Sequence, residues 1–499
     1  MPSLSSPVFN VDVLDGSGNI IGPGPLENVL AVEITEELDR AGLVTVSIPA
    51  TYQRAQDLLG AEKRLQVRVL NEDIVATCLI QNLNVVASGQ QPIYQISGPD
   101  LLGELVYLNT GYNRTYDNRL IANVIIGTSA TAASLLGGTG WTQGSIVIDP
   151  GVGTRSTISF DGQTRLQALI TLAEQIGHHL RQGTTARTLD FGLFGADSGL
   201  RAMNVHHALV KQQEVSPGLA YIADAEIGKI SAEIENRLYP LGKDRFDLQD
   251  ASTSITDIKV AANTGPDGAE TTLTAQANPT DTTLTVTSTT GFVANEYIWV
   301  GNKANWTANH EMLQIQSIGG PTTINLVSAV TVTLANGSNV IQRPQFYVED
   351  TASQAALGGG ASSIRENTPQ FAWIGPIDPT SSTSRQQAAD VLYHAAKARL
   401  LRYSLPYETY VLTRVLNLPT SLRVGDKIRV VYHGAVKAYG GSYYVDIDDD
   451  LFVTRITRTW QGNGEASASL AVSDVDRPTP NNSLLVIFNL DNLRWLIPG

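Results

Sequence analysis

Histidines, carboxylates and glycine clusters are where this chain could do chemistry, and their spacing decides what kind. Its 7 histidines include two adjacent pairs, His178-His179 and His206-His207. Neither pair has the i, i+4 spacing that sets two imidazoles on one helix face beside a glutamate base. His310-Glu311 lacks a second histidine four residues on. All are read as hydrogen-bonded or solvated histidines rather than zinc ligands. In DIDDD, residues 446–450, Asp446, Asp448 and Asp450 match the first three ligand spacings of a calcium loop. Position six is then Leu451, where the sharp turn needs glycine, and position twelve is Thr457, where a bidentate glutamate belongs. A solvated, self-repelling loop tip ahead of a strand is expected there instead. LLGGTG (135–140) and LGGGAS (357–362) lack the Lys-Ser/Thr of a phosphate loop and the strand-to-helix setting of a dinucleotide turn. No constellation of catalytic residues, no metal ligand set and no cofactor site emerges. Trp299 and Trp306, with Tyr297, are candidates to stack on the sugar rings of a glycan, against a competing expectation of core packing.

Composition narrows the classes further. Apolar residues make up 42% and charged residues 16%, with a net charge of −14 and a pI near 5.0. Thr, Ser, Gly, Asn and Gln fill the difference, which suits β-rich proteins. So acidic a chain lacks the basic patches that grip phosphate by counterion release, yet nucleic acid could slide past it without sticking. The single cysteine, Cys78, excludes an intrachain disulfide and is expected to be a small buried hydrophobe. MPSLSSPVFNVDVLDG has no basic n-region and no apolar h-region, and no run of 18 apolar residues occurs. Neither a secretory signal nor a membrane span is expected.

A length of 499 residues implies roughly three or four domains. Residues 1–105 alternate as strands. Residues 106–225 read as a small α/β domain, with helix expected over DNRLIANVIIGTSA (117–130) and again after Thr164. There Thr164 and Gln167 make a capping box, Leu166, Leu169, Ile170, Ala173 and Ile176 form one face, and Gly177 sits at the C-cap. Residues 226–261 and 346–475 alternate again, enclosing a helix over 384–402 with Ser384 and Gln387 as its capping box and Ala388, Val391, Leu392 and Ala395 as its buried stripe. Between them, residues 262–345 are rich in Thr, Asn and Gly and poor in charge, as in an inserted small β-barrel or sandwich. Residues 476–499 form an arm whose Leu484, Leu485, Ile487, Phe488, Leu490 and Trp495 need burial, and docking on a partner is expected.

Two distant stretches share one grammar. Arg64-Leu65-Gln66-Val67-Arg68-Val69 lines up with Lys427-Ile428-Arg429-Val430-Val431-Tyr432. CLIQNLNVVASGQQPIYQISGPD after the first parallels LFVTRITRTWQGNGEASASLAVSD after the second, each a long hairpin closing on Ser and Asp. An internal duplication of three strands is expected.

The order YQISGPDLLGEL (94–105), SFDGQTRLQALITLAEQIGHHLR (159–181), IENRLYPLG (234–242) and SRQQAADVLYHAAKARLLRYSLPYETYVLTRVLNLPTSLRVGDKIRVVY (384–432) carries a resemblance. With LFVTRITRTWQGNGEASASLAVSD at its end, the chain resembles the tail and baseplate hub proteins of bacteriophages, relatives of the hubs of contractile injection systems. The resemblance implies a mainly β fold with α+β parts: two tail-tube-like β-barrel domains and a small α/β domain between them. It implies a homotrimer whose six barrels join a six-fold tail tube to a three-fold tip, with a channel for the genome. Partners would be the tail tube or a distal tail protein on one side and a tip, spike or fibre protein on the other, with DNA passing unbound. The chain would reside in the virion tail after assembly in the host cytoplasm. Glu33, Glu36, Glu37 and Asp39 are its candidate lumen-facing acids. The 262–345 insertion departs from the family's simplest pattern, and without a long C-terminal extension no enzyme is expected. The alternative is a receptor- or glycan-binding tail adhesin using Trp299 and Trp306.

Overall fold

The computed structural model describes residues 9–474, except 23, 52–62, 70–72, 89–90, 128–133, 150–154, 205–217, 231–233, 264–267, 435–444 and 463–465. The first unit comprises β1 (Phe9–Leu14), β2 (Ala31–Glu37), β3 (Leu43–Pro49), β4 (Arg64–Val69), β5 (Asp73–Leu79), β6 (Asn82–Ser88) and β7 (Gln91–Pro99). Strict alternation buries Val44, Val46 and Ile48 on β3 and Leu65, Val67 and Val69 on β4. Two layers, β1-β4-β5 and β2-β3-β7-β6, close over Val11, Ile34, Cys78 and Ile96. Among the described residues no ladder joins β1 to β2, so this unit is a half-barrel.

The α/β unit follows a 3-10 turn, Leu101–Val106, and holds β8 (Arg114–Leu120), β9 (Thr142–Val147), β10 (Arg155–Phe160), β11 (His179–Gln182) and β12 (Thr188–Gly192). The helix expected over 117–130 shrinks to Ile121–Ile125. Pairing of β8 with β10 takes the residues before it, burying Tyr116 edge-on to Phe160. The second helix, Arg165–Ile176, forms as its local signals dictate. Thr164 accepts the Gln167 N–H at 3.2 Å, and Gly177 ends it at φ 69°.

β13 (Asp197–Asn204) and β14 (Leu219–Ile230) come next, then a platform of β15 (Arg237–Leu238), β16 (Leu241–Gly242) and β17 (Lys259–Ala262). The insertion is a ring of β18 (Glu270–Thr272), β19 (Thr283–Thr285), β20 (Tyr297–Gly301), β21 (Glu311–Gly320), β22 (Thr323–Leu326) and β23 (Asn339–Gln342). Its order, β18-β23-β20-β21-β22-β19, closes through a Leu273–Val286 bridge, making a small barrel around Leu284, Ile298, Leu313 and Ile324. The platform resumes with β24 (Pro344–Glu349), β25 (Glu366–Asn367) and β26 (Gln370–Phe371) and carries the long helix Ser382–Tyr403. That helix is capped by Ser381, which accepts the Ser384 N–H, and not by Ser384 as expected. Ser384 instead accepts the N–H groups of Ile377 and Asp378. Ala389, Leu392, Ala395 and Ala396 pack on the platform, while Ala398 meets Gly177 of the α/β unit.

The chain ends its described part with β27 (Tyr407–Leu416), β28 (Lys427–His433), β29 (Asp446–Gln461) and β30 (Ala466–Ser473). In order, β28-β13-β14-β27-β30-β29 form a six-stranded barrel that β28 and β29 close by pairing with each other. This corrects the expected domain limits. β13 and the start of β14, read as part of the α/β domain, belong to the closed barrel. The long helix, read as part of that barrel, belongs to the platform. DIDDD is not a loop tip either: Asp446–Asp450 run along β29 opposite β28, where Arg429 pairs with Asp448 at 2.6 Å and His433 with Asp446 at 2.7 Å.

The duplication extends beyond the three strands legible in the sequence. In the half-barrel β2 pairs β3, β3 pairs β7, β7 pairs β6 and β4 pairs β5. In the closed barrel β14 pairs β27, β27 pairs β30, β30 pairs the second half of β29, and β28 pairs its first half. The strands follow one sequence order with one set of antiparallel partners.

Candidate functional site

The two copies meet edge to edge. β2 pairs antiparallel with β29, from Ala31 opposite Gln461 to Glu37 opposite Arg455, and fuses the units into a ten-stranded sheet. Because directly opposed residues share a face, the pairing register assigns each side chain to one side. Val32, Ile34, Trp460 and Arg458 point inward. On the open face one row runs Asn82, Ser97, Thr45, Glu33, Thr459, Ser467 across six strands. The next row holds Leu43, Thr35, Thr457 and Ser469, with the Thr35 and Thr457 hydroxyls 3.1 Å apart. The face is a carpet of short hydroxyls and amides, with one charge in the first row. The sequence carries its signature in EASASLAV, where small hydroxyls alternate with apolar residues, which is uninformative until the seam is known.

The four acidic candidates therefore separate. Glu33 is exposed on the open face, and Glu37 shares that face beside Arg40 and Arg455. Glu36 turns to the other side and pairs with Arg458, which is only 3% exposed. Asp39 is no surface acid at all. It is buried, accepts the Leu180 N–H at 2.8 Å, and lies 2.6 Å from His179 Nδ1. Arg402 of the long helix reaches His179 Nε2 at 3.0 Å. An arginine only donates, so Nε2 accepts and Nδ1–H donates to Asp39. This relay ties half-barrel, α/β unit and platform together.

A second polar seam joins the α/β unit to the closed barrel. Arg181 donates to Asp426 at 2.9 Å and stacks over Phe194, while Arg423 donates to Asp190 at 3.0 Å. Burial, then the neighbouring Arg181 charge, lowers the Arg423 pKa. A cleft of about 740 Å³ opens here between the half-barrel, the β11–β12 turn and the 420–424 loop. Its arginines Arg40, Arg181 and Arg423 already face carboxylates, so the cleft is a junction with its charge satisfied, not an anion site.

The glycan candidates are corrected outright. Trp299 and Trp306 are 0% and 1% exposed and stack nearly parallel, with His310 and Phe346 against Trp306. Trp306 Nε1 donates to the Ser252 carbonyl at 3.3 Å, so both indoles weld the inserted barrel to the platform. Tyr297 stays exposed. His178 is buried too, and its Nε2 accepts the Asp149 N–H. His206-His207, the hairpin tips at 89–90 and 463–465, and the arm carrying Leu484, Leu485, Ile487, Phe488, Leu490 and Trp495 lie outside the described residues. Among the described residues no group of three or more His, Cys, Asp or Glu could hold a metal, and no helix is long and apolar enough to cross a membrane.

No protein-family model matches the chain, and no curated protein matches it. Among solved structures it is similar to the 43 kDa tail protein of prophage MuSo2 from Shewanella oneidensis, at 12% identity and TM-score 0.47, covering 93% of this chain and 98% of that one. The prophage tail protein gp18 from Listeria monocytogenes matches at 10% identity and TM-score 0.46, over 98% and 100% of the two chains. A tail protein from Neisseria meningitidis matches at 12% identity and TM-score 0.45, over 95% and 98%. Over nearly its whole length, the chain is similar to solved phage tail proteins.

Proposed function

We propose that the chain is the structural hub of a phage tail tip or baseplate. Three copies form a ring of six barrel units that joins a six-fold tube to a three-fold tip and leaves a channel for the genome. The observation that carries this reading is the repeated strand pattern, joined by β2·β29 into one sheet. A trimer of a duplicated unit satisfies both symmetries at once. Six such units, half-barrel and closed barrel in alternation and each about 25 Å wide, leave a hole on the order of 25 Å, enough for a duplex. The hydroxyl carpet with Glu33 suits a wall that nucleic acid passes without being held, since among the described residues of this face no row of basic side chains offers it counterion release. Packing and interface complementarity do the work, with no catalytic step. The burial of both tryptophans removes the support for a glycan adhesin.

The test is the solution mass by light scattering, followed by end-on class averages in the electron microscope. The reading expects three times 53.5 kDa and a ring with six lobes and a central hole. A compact monomer that never rings on tail tubes overturns it.

A further inference from the structure

The half-barrel and the closed barrel each leave one strand edge open, and these edges are the counterparts of the two that already meet. β6 ends the ten-stranded sheet with no outer partner among the described residues. β14 is paired on its outer side only over Leu219–Ile222, by β13, which leaves the Ala223–Ile230 edge without a described partner. By the duplication, β14 corresponds to β2, and β6 corresponds to the second half of β29. The seam inside the chain is β2 against β29.

We propose that the same seam forms between chains, with β14 of one protomer pairing antiparallel with β6 of the next. This rests on the trimeric hub reading and names its contact. Matching strands through their shared neighbours carries Glu33 opposite Thr459 onto Glu226 opposite Val86 of the adjacent copy. It carries Thr35 opposite Thr457 onto Gly228 opposite Asn84. On the inward face, Ile34 opposite Arg458 becomes Ile227 opposite Val85. The buried charge of the internal seam is thus replaced by an apolar pair. Val85 and Val86 are 61% and 41% exposed on an unpaired edge strand, the arrangement that invites strand addition. Such a head-to-tail contact uses two different surfaces and closes into a ring when the rotation permits, here after three copies.

The full-length chain carrying Glu226→Cys and Val86→Cys, oxidised and run on a non-reducing denaturing gel, tests the register. Opposed strand residues bring Cβ atoms within disulfide reach, and the native Cys78 is buried. Covalent trimers are expected, with a several-fold lower yield for the off-register pair Glu226→Cys with Asn84→Cys. Each single-cysteine variant, checked by circular dichroism and light scattering, reports whether folding and assembly survive. Val85→Glu, at an exposed position, should abolish trimers while leaving the circular dichroism spectrum unchanged. Trimers by light scattering without this cross-link, or with the off-register link favoured, overturn the inference and leave the hub reading standing. A link formed within one chain overturns the inference as well. A chain that stays monomeric at every concentration and on tail tubes overturns both.

Discussion

Arg458 and Glu36, 422 positions apart, form an ion pair across the seam where the closed barrel meets the half-barrel. Arg458 also donates to the Leu422 carbonyl at 2.5 Å, so one buried guanidinium holds β2, β29 and the loop before β28. Removing it strands an acid and a carbonyl. Arg458→Ala should cost about 3 kcal/mol, and Arg458→Met, which keeps the volume, should recover part of the loss. Urea unfolding midpoints check this. Midpoints equal to wild type in both variants would show the seam to be held by its ladder alone.

Two buried carboxyls should contribute more stability as the solution becomes mildly acidic. Asp100 accepts the N–H groups of Gly42 and Leu102 at 2.8 and 2.9 Å, yet burial pushes its pKa up to about 7. Burial likewise pushes Asp247 up to about 6. Both start from 3.8, and a carboxyl raised on folding binds its proton more tightly in the folded state. Its contribution is therefore complete below the unfolded value and is lost as pH rises through the folded one. His178, His310 and His394, whose pKa values burial lowers, act in the opposite sense, so the readout is a difference. The Tm advantage of wild type over the Asp100→Asn, Asp247→Asn double variant should shrink from pH 4 to pH 8 by scanning calorimetry. Identical slopes would sink the assignment.

Cys78 should be inert in the native protein. Its thiol is buried on β5 and burial pushes its pKa up to about 12, so the reactive thiolate is scarce at neutral pH. A disulfide reagent at pH 8 should label it only in denaturant. Prompt labelling of the folded chain would contradict its placement in the half-barrel core.

Loss of Trp306 should be felt as stability and not as ligand binding. Trp306→Ala opens a cavity beside Trp299 and Phe346 and should cost about 3–5 kcal/mol. Tyr297→Ala, at an exposed ring, should stay within about 0.5 kcal/mol. Thermal melts of the two variants separate these outcomes. Glycan-array binding lost in Trp306→Ala, with its melting temperature unchanged, would restore the adhesin.

What was legible in the sequence was local. The helix Arg165–Ile176 announced both ends because Thr164 and Gly177 act on backbone groups within a few residues. β3 and β4 were legible because each buries alternate positions. The start of the long helix was misread by three residues because Ser381 and Ser384 are equally good caps in isolation. Ser384 is claimed by Ile377 and Asp378, which only the folded turn brings near. The domain limits were misread for the same reason on a larger scale: β14 finds its partner β27 across the whole platform and insertion. The seam residues were hidden because which face Glu36 occupies depends on a pairing with a strand more than 400 residues away.

The inserted barrel leaves and rejoins the platform at one point, since Ala262 on β17 lies opposite Pro344 on β24. A cassette mounted on neighbouring strands can be exchanged without disturbing the scaffold that carries it, which makes this the natural place to swap or label a module. The exchange has one condition. Trp299 and Trp306 belong to the cassette but complete the host's core around Phe346 and Leu392, so a replacement must bring two large apolar side chains of its own or leave the scaffold with an unsealed socket.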